Sequence, residues 1–307
     1  MHKRVTLLCY VVCLCLLLSV QFGTAQKVHR PIKNGISKPY TQATHPFGVL
    51  FYTVPHNFRA RAEQVSSLNF QLSSGNIWGQ PVTTFVPTST IDREQIAVLD
   101  FYSRGPRFDQ NSRPFQSYTI AYDGVIKDLR ITSTLPLSNK NDLTITARSF
   151  LLTKGTFPFT TITGDRFIEF FHENIAGGDD PFGRELLGVD QAQIIYTDRN
   201  GNSLSITDGE FVFSGIETAF YHYPELFAKH HIYINLGAHL GANLSQYNNS
   251  LDVGFSVAGL KEFQSSGSIQ ALFGLGLNIL RKSIISFQPN QTDLGTSNFI
   301  GSFEGHF

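Results

Sequence analysis

The sequence predicts an all-β fold: a transmembrane antiparallel β-barrel of roughly 12 strands with a short helical insertion. Three observations point there. Apolar and polar residues alternate with period two, most plainly in HHIYINLGAHLGANLS. There Ile232, Ile234, Leu236, Ala238, Leu240 and Ala242 share one face, and His231, Tyr233, Asn235, Gly237, His239 and Gly241 share the other. The alternating runs near the C-terminus outlast the ~5 to 6 residues usual in soluble sheets and match the ~9 to 11 of a tilted membrane-crossing strand. Aromatic residues make up 13% of the chain and charged residues 16%, against ~25% charged in typical soluble domains. Such a composition suits much apolar outward surface.

Residues 1–25 read as a secretory signal peptide. Lys3 and Arg4 precede the apolar run Val5 to Val20, and the small residues Gly23 and Ala25 place a cleavage site before Gln26. The apolar run is short for a spanning helix. Cys9, Cys13 and Cys15 all lie in this leader, so the exported part carries no disulfide framework. Without Lys3 and Arg4, 22 basic residues stand against 24 acidic ones, a formal balance of −2. No basic stripe marks a nucleic-acid partner. No later stretch approaches the ~18 to 20 apolar residues of a membrane helix, so any crossing is made by strands.

Residues 26–46 form an N-terminal segment, and 47–307 the barrel. Strands are predicted over 47–54, 64–73, 95–103, 117–123, 125–135, 143–152, 191–198 and 210–221. Asp123-Gly124 and Asn200-Gly201 are hairpin signals between them. The C-terminal strands follow as a meander: the histidine-bearing strand, then Leu251, Val253, Phe255 and Val257 as an apolar row, then Phe273, Leu275, Leu277 and Ile279. The chain ends SNFIGSFEGHF, with Phe299, Phe303 and Phe307 on one face. That ending resembles the C-terminal signal by which bacterial barrels are received by the barrel-assembly machinery.

The period breaks over 163–185, in FIEFFHENIAGGDDPFGRE and the residues just before it. Phe167, Ile168, Phe170, Phe171 and Ile175 are spaced as in a short helix, with Asp165 near its cap and Gly177-Gly178 closing it. Three chemistries fit. His172 as a base, oriented by Asp165 or Glu169, would make a catalytic centre, although no nucleophile motif lies nearby. Asp179 and Asp180 would offer oxygen ligands to Ca²⁺, the one cofactor weighed; a solvated turn is the plainer reading. In the third reading the insertion plugs the barrel, with Asp165, His172, Glu173, Arg184 and Glu185 in the lumen and Arg184 paired to a carboxylate. His231 and His239 line the same inward face, too far apart along a strand for one metal. Asp198, Asn200 and Asn202 alternate like calcium ligands, but Gly201 is misplaced for an EF-hand, and an Asn-Gly hairpin fits better. Trp78 and the strand-end Tyr and Phe residues suit an interfacial girdle.

Taken in order, HPFGVLFYTVP, SSGNIW, AYDGVIKDLRITSTLPL and GDRFIEFFHENIAGGDDPFGRE resemble a bacterial family of outer-membrane proteins, domain of unknown function 3187. Asp165, Ile168, His172, Gly183 and Arg184 occupy that family's marked positions, while the acidic GGDDP departs from its usual turn. The resemblance implies a barrel and no particular activity.

The expectation is therefore an exported protein of the Gram-negative outer membrane, surrounded by outer-membrane lipids. It would pass a small solute or lipid-like molecule, or serve envelope structure. One rival is a lipid-acting enzyme using His172; another is a soluble secreted β-sandwich that binds a ligand.

Overall fold

The computed structural model of the 307-residue chain describes residues 34–36, 45–84, 89, 91, 118–155, 162–177, 190–198, 200–264, 270–287, 292–294 and 298–306. The long elements are strands β1 (Ser67–Thr84), β2 (Tyr118–Ser138) and β3 (Asn141–Thr153), then helix α1 (Asp165–Phe171), which a π turn, His172–Ala176, continues. There follow β4 (Gln193–Thr197), β5 (Ser203–Thr207), β6 (Phe211–His222), β7 (Ile232–Leu244), β8 (Asn249–Gln264), β9 (Gln270–Ser286) and β10 (Phe299–His306). All ten strands belong to one antiparallel sheet, curled into a half-barrel. Its order is β10-β9-β8-β7-β6-β3-β2-β4-β5, with β1 along the other edge of β2. Among the described residues β1 and β10 each pair with one strand only. The strand expected at 95–103 lies outside the described residues.

Two sequence expectations are corrected. Asp123-Gly124 is not a hairpin: β2 runs straight through it, with Asp123 opposite Trp78 and Gly124 opposite Ile77. Gly124 instead marks where one edge of β2 passes from β4 to β3. Its φ of 140° puts it in backbone space that L side chains rarely adopt, and an added Cβ would meet Leu152 Cδ1 at 3.1 Å. The second concerns 47–54, which forms no strand. Pro46 and the His45 ring, whose Nδ1 accepts from Phe47 N, start a 3-10 turn at Pro46–Val49, and an unladdered extended run follows. The Asn200-Gly201 turn does close a hairpin, joining β4 to β5, and β5 was not foreseen as a strand.

Side-chain polarity shows how this sheet is used. On β7 the buried residues are Asn235, Gly237, His239, Gly241 and Asn243, and the outward ones are Leu236, Ala238, Leu240 and Leu244. Asn235 and His239 are 2% and 3% exposed, whereas Leu236 and Leu240 are 45% and 44% exposed. The outward apolar row continues through Phe255 and Val257 on β8, Leu275, Leu277 and Ile279 on β9, and Phe299 and Phe303 on β10. At the other edge Leu68, Phe70 and Leu72 of β1 extend it. The pattern is inverted relative to a soluble sheet.

One end of the sheet has ordinary polarity. Ile126, Phe150, Leu152, Ile194, Tyr196, Leu204, Ile206 and Val212 form a buried cluster there with Phe47, Val49 and Leu50. Along β2 the apolar residues thus change face, from Ile120 and Ile126 inside to Leu129 and Ile131 on the outward face. The β4–β5 turn at this end is organised by Asp198, whose carboxylate accepts from Asn200 N, Asn202 N, Asn202 Nδ2 and Asp293 N. Burial pushes that carboxyl up, but the four hydrogen bonds outweigh it and hold it below the usual carboxylate range. Connections at this end span 85–117, 154–192 and 287–298, with a short turn at 245–248, while those at the other span 139–140, 223–231 and 265–269.

Candidate functional site

The inner face of the sheet is occupied by the chain's own N-terminal segment, 45–63. Such a segment, outside the strand ladder and largely buried with Thr53 and Pro55 exposed, must have its buried backbone groups satisfied elsewhere. Side chains of the curled sheet do this. Leu50 O accepts from Asn248 Nδ2 at 2.9 Å, Phe51 O from an Arg148 guanidinium N–H at 2.7 Å, and Val54 O from Asn278 Nδ2 at 2.8 Å. Asn57 O and Arg59 O share Asn235 Nδ2, at 2.6 and 3.2 Å. The asparagines on the inward face of β7 and β9 thus act as carbonyl clamps.

Contacts of Phe51 measure the curl. Its carbonyl is held by Arg148 of β3, while Lys282 Nζ of β9 lies 3.7 Å from its ring centroid. β3 and β9 are separated by β6, β7 and β8, about 19 Å in a flat sheet at ~4.8 Å per strand. Only a sheet wrapped around the segment brings both to one residue. Further along, His56 Nε2 meets Ser302 Oγ of β10 at 2.8 Å, and Arg59 reaches Asp142 of β3 at 3.1 Å. The segment therefore runs along the inside, touching opposite walls in turn.

Glycines make room for it. A Cβ on Gly241 would lie 2.5 Å from Tyr52 Cδ1, one on Gly254 2.7 Å from Val54 Cγ2, one on Gly274 2.8 Å from Phe58 Cδ1, and one on Gly276 2.5 Å from His56 Nδ1. Tyr52, Val54 and Phe58 are buried in return. Tyr52 Oη also meets His239 Nδ1 at 3.0 Å, and His239 Nε2 meets Ser256 Oγ at 2.8 Å. The small residues that alternate with leucine on β7 to β9 are thus the imprint of this segment.

Beneath it lies a buried chain of charges. Arg148 Nε is 2.6 Å from Glu217 Oε1, an ion pair set off the axis of a linear hydrogen bond. Arg130 bridges Glu217 at 3.6 Å and Asp128 at 3.3 Å. Arg148 also donates to Asn243 Oδ1, and Asn243 Nδ2 donates to Asp252. Around Arg59, Tyr221 and Tyr223 present their rings at 5.6 and 5.8 Å, and Asn57 Nδ2 donates to Tyr223 Oη. The ion pairs link β2, β3 and β6, so the wall facing the segment is polar with its charges paired.

The insertion expected to plug the barrel sits elsewhere. Asp165 is buried, and its carboxylate accepts from Asn76 Nδ2 at 2.8 Å and from Asp190 N at 2.9 Å. Asn76 and Ser74, which meets Thr163 Oγ1 at 2.8 Å, share the outward face of β1 with Phe70 and Leu72. The helix therefore packs on the convex side, and the lumen position assigned to Asp165, His172 and Glu173 is corrected to the outside. The physical reason is that the inner face is already filled. Asp165 bonds Asn76 and Asp190, and Arg166 Nε, not His172, bonds Asp190 at 2.8 Å. His172 and Glu169 lie on the protein-facing side of the helix, partly buried, and Glu173 is exposed.

Of the remaining candidates, His239 is where inward alternation places it, against the segment. His231 lies just before β7, in a left-handed conformation at φ 54°, with Glu262 at 4.0 Å. Asp179, Asp180, Arg184 and Glu185 lie outside the described residues. Among the described residues no group of three or more His, Cys, Asp or Glu is placed to hold a metal. Sequence reasoning missed Arg148, Asn235, Asn243, Asn248 and Asn278; their signal was polar residues recurring on the inward face of long strands with glycine between them. No family model, no curated protein and no solved structure matches the chain.

Proposed function

We propose that this chain is an exported outer-membrane β-barrel of a Gram-negative bacterium whose lumen is stoppered by its own segment 45–63. The observation that carries this reading is the inverted polarity of β7, with leucines outside and asparagine, histidine and glycine inside. In water such a surface is costly: each half-exposed leucine forgoes about 1 kcal/mol of burial. In a bilayer the same belt faces hydrocarbon, and a closed antiparallel barrel leaves no backbone group unsatisfied there. The longest connections, 85–117, 154–192 and 287–298, gather at the apolar-cored end, as extracellular loops do in such barrels.

A stoppered barrel is a closed passage. The role it supports best is conditional passage of a small solute or lipid-like molecule, gated by displacement of the segment, with outer-membrane lipids and the barrel-assembly machinery as partners. Gel mobility with and without boiling tests the barrel: a closed barrel resists detergent unfolding and shifts on heating. A protein that runs alike in both lanes and fractionates without detergent would sink the membrane reading and favour a soluble β-protein.

A further inference from the structure

Helix α1 and its π turn carry their amphipathicity the wrong way round for water. Asp165, Glu169 and His172, spaced i, i+4 and i+7, face the protein together with Ile168, Asp165 fully buried and the others partly. Phe167, Phe170, Phe171 and Ile175 face away, and Phe170 and Ile175 are 53% and 63% exposed. Phe167 and Phe171 stack with ring centroids 6.5 Å apart, forming one outward aromatic surface.

The helix sits at a particular height. Its anchor points on β1, Ser74 and Asn76, follow directly on the outward row Leu68, Phe70 and Leu72 of the same strand. Opposite them on β2, Val125 and Lys127 are the last residues before the outward row turns to Leu129 and Ile131. Lys127, though buried, directs its Nζ to Ser74 Oγ at 2.6 Å. The phenylalanine surface is thus continuous with the rim of the apolar belt, at the level where the outward face becomes polar.

We propose that α1 and its π turn form an interfacial anchor. The phenylalanines and Ile175 insert among lipid acyl chains just below the headgroups, while Asp165 fastens the helix to β1. This inference rests on the membrane reading above and deepens it by naming the lipid contact made outside the strands. Continuity with the belt favours lipid over a protein partner; Arg166, Glu173 and Asn174, exposed beside the phenylalanines, suit a position at the headgroups rather than deep in hydrocarbon.

The full chain, reconstituted in phosphatidylcholine vesicles, provides the test. Single cysteines replace Phe170, Leu277 in the belt, or Asn200 at the β4–β5 turn, each labelled with an environment-sensitive fluorophore and challenged with lipid carrying a shallow quencher. The expected result is blue-shifted, strongly quenched emission at 170 and 277 and neither effect at 200. Quenching at 277 with a water-like signal at 170 overturns the anchor and leaves the barrel standing; a protein would then cover this face. No quenching at 277 overturns the membrane reading and the anchor with it. Ile175→Cys repeats the measurement should Phe170→Cys fail to reconstitute.

Discussion

Replacing Gly241 with valine should loosen the stopper. The added Cβ would lie 2.5, 2.6 and 2.9 Å from Tyr52 Cδ1, Cγ and Cβ, against ~3.5–4.0 Å for carbon atoms in contact. The clash involves the root of the Tyr52 side chain, so a rotamer change cannot relieve it and the segment's backbone must shift. Overpacking of this kind costs about 1–3 kcal/mol, which raises the displaced population by about 5- to 150-fold. The readout is a thiol at Val54→Cys, a buried position in a chain with no native cysteine beyond Cys15. Its reaction with a water-soluble maleimide follows the open population when reclosing is faster than labelling. Gly259→Val is the control, because an added Cβ there meets nothing within 4 Å. Equal labelling rates in the Gly241→Val and Gly259→Val backgrounds would refute the idea that the segment is seated on the glycine row.

Other outcomes follow from the same contacts. Arg148→Met leaves Glu217 buried without its closest partner and Phe51 O without its donor, and should cost about 3–5 kcal/mol by denaturant unfolding in detergent; a loss under ~1 kcal/mol, as for a surface pair, would contradict the pairing. Asp165→Ala removes the acceptor for Asn76 and Asp190 and should free α1 while sparing the sheet, seen as faster amide exchange confined to 165–176. The Asp198 carboxyl is lowered in the fold, so its contribution is complete above the unfolded value of about 3.9 and disappears as pH falls through the lower folded value. The melting-temperature gap between the parent and Asp198→Asn should therefore be constant from neutral pH to about 5 and narrow below it; a gap that widens on acidification would reverse the sign.

Much of the sheet could be read from alternation. β7, β8 and β9 fall where Leu236 to Leu244, Leu251 to Val257 and Phe273 to Ile279 put them, because a two-residue period with one apolar row leaves a single register. Asp123-Gly124 misled because a positive-φ glycine can sit within a long strand as well as in a turn, and only the continued pairing with β1 tells them apart. Segment 47–54 misled for a related reason: FGVLFYTV has strand composition, but its carbonyls are taken by Asn248, Arg148 and Asn278, residues far away in sequence. Stretch 163–185 breaks the period and draws attention, whereas segment 45–63, which lies on the inner face of the sheet, announces itself only through the glycines opposite it. The partner of His239, Tyr52, is 187 residues away, and no local pattern pairs them.

The most direct test of a stoppered membrane barrel is conductance across a planar bilayer. The full chain is compared with a variant whose residues 46–62 are replaced by a flexible Gly/Ser linker of equal length, after both show heat-modifiable mobility. The intact chain should insert and stay nearly silent, and the linker variant should open discrete conducting steps. Equal conductance in the two would contradict the account.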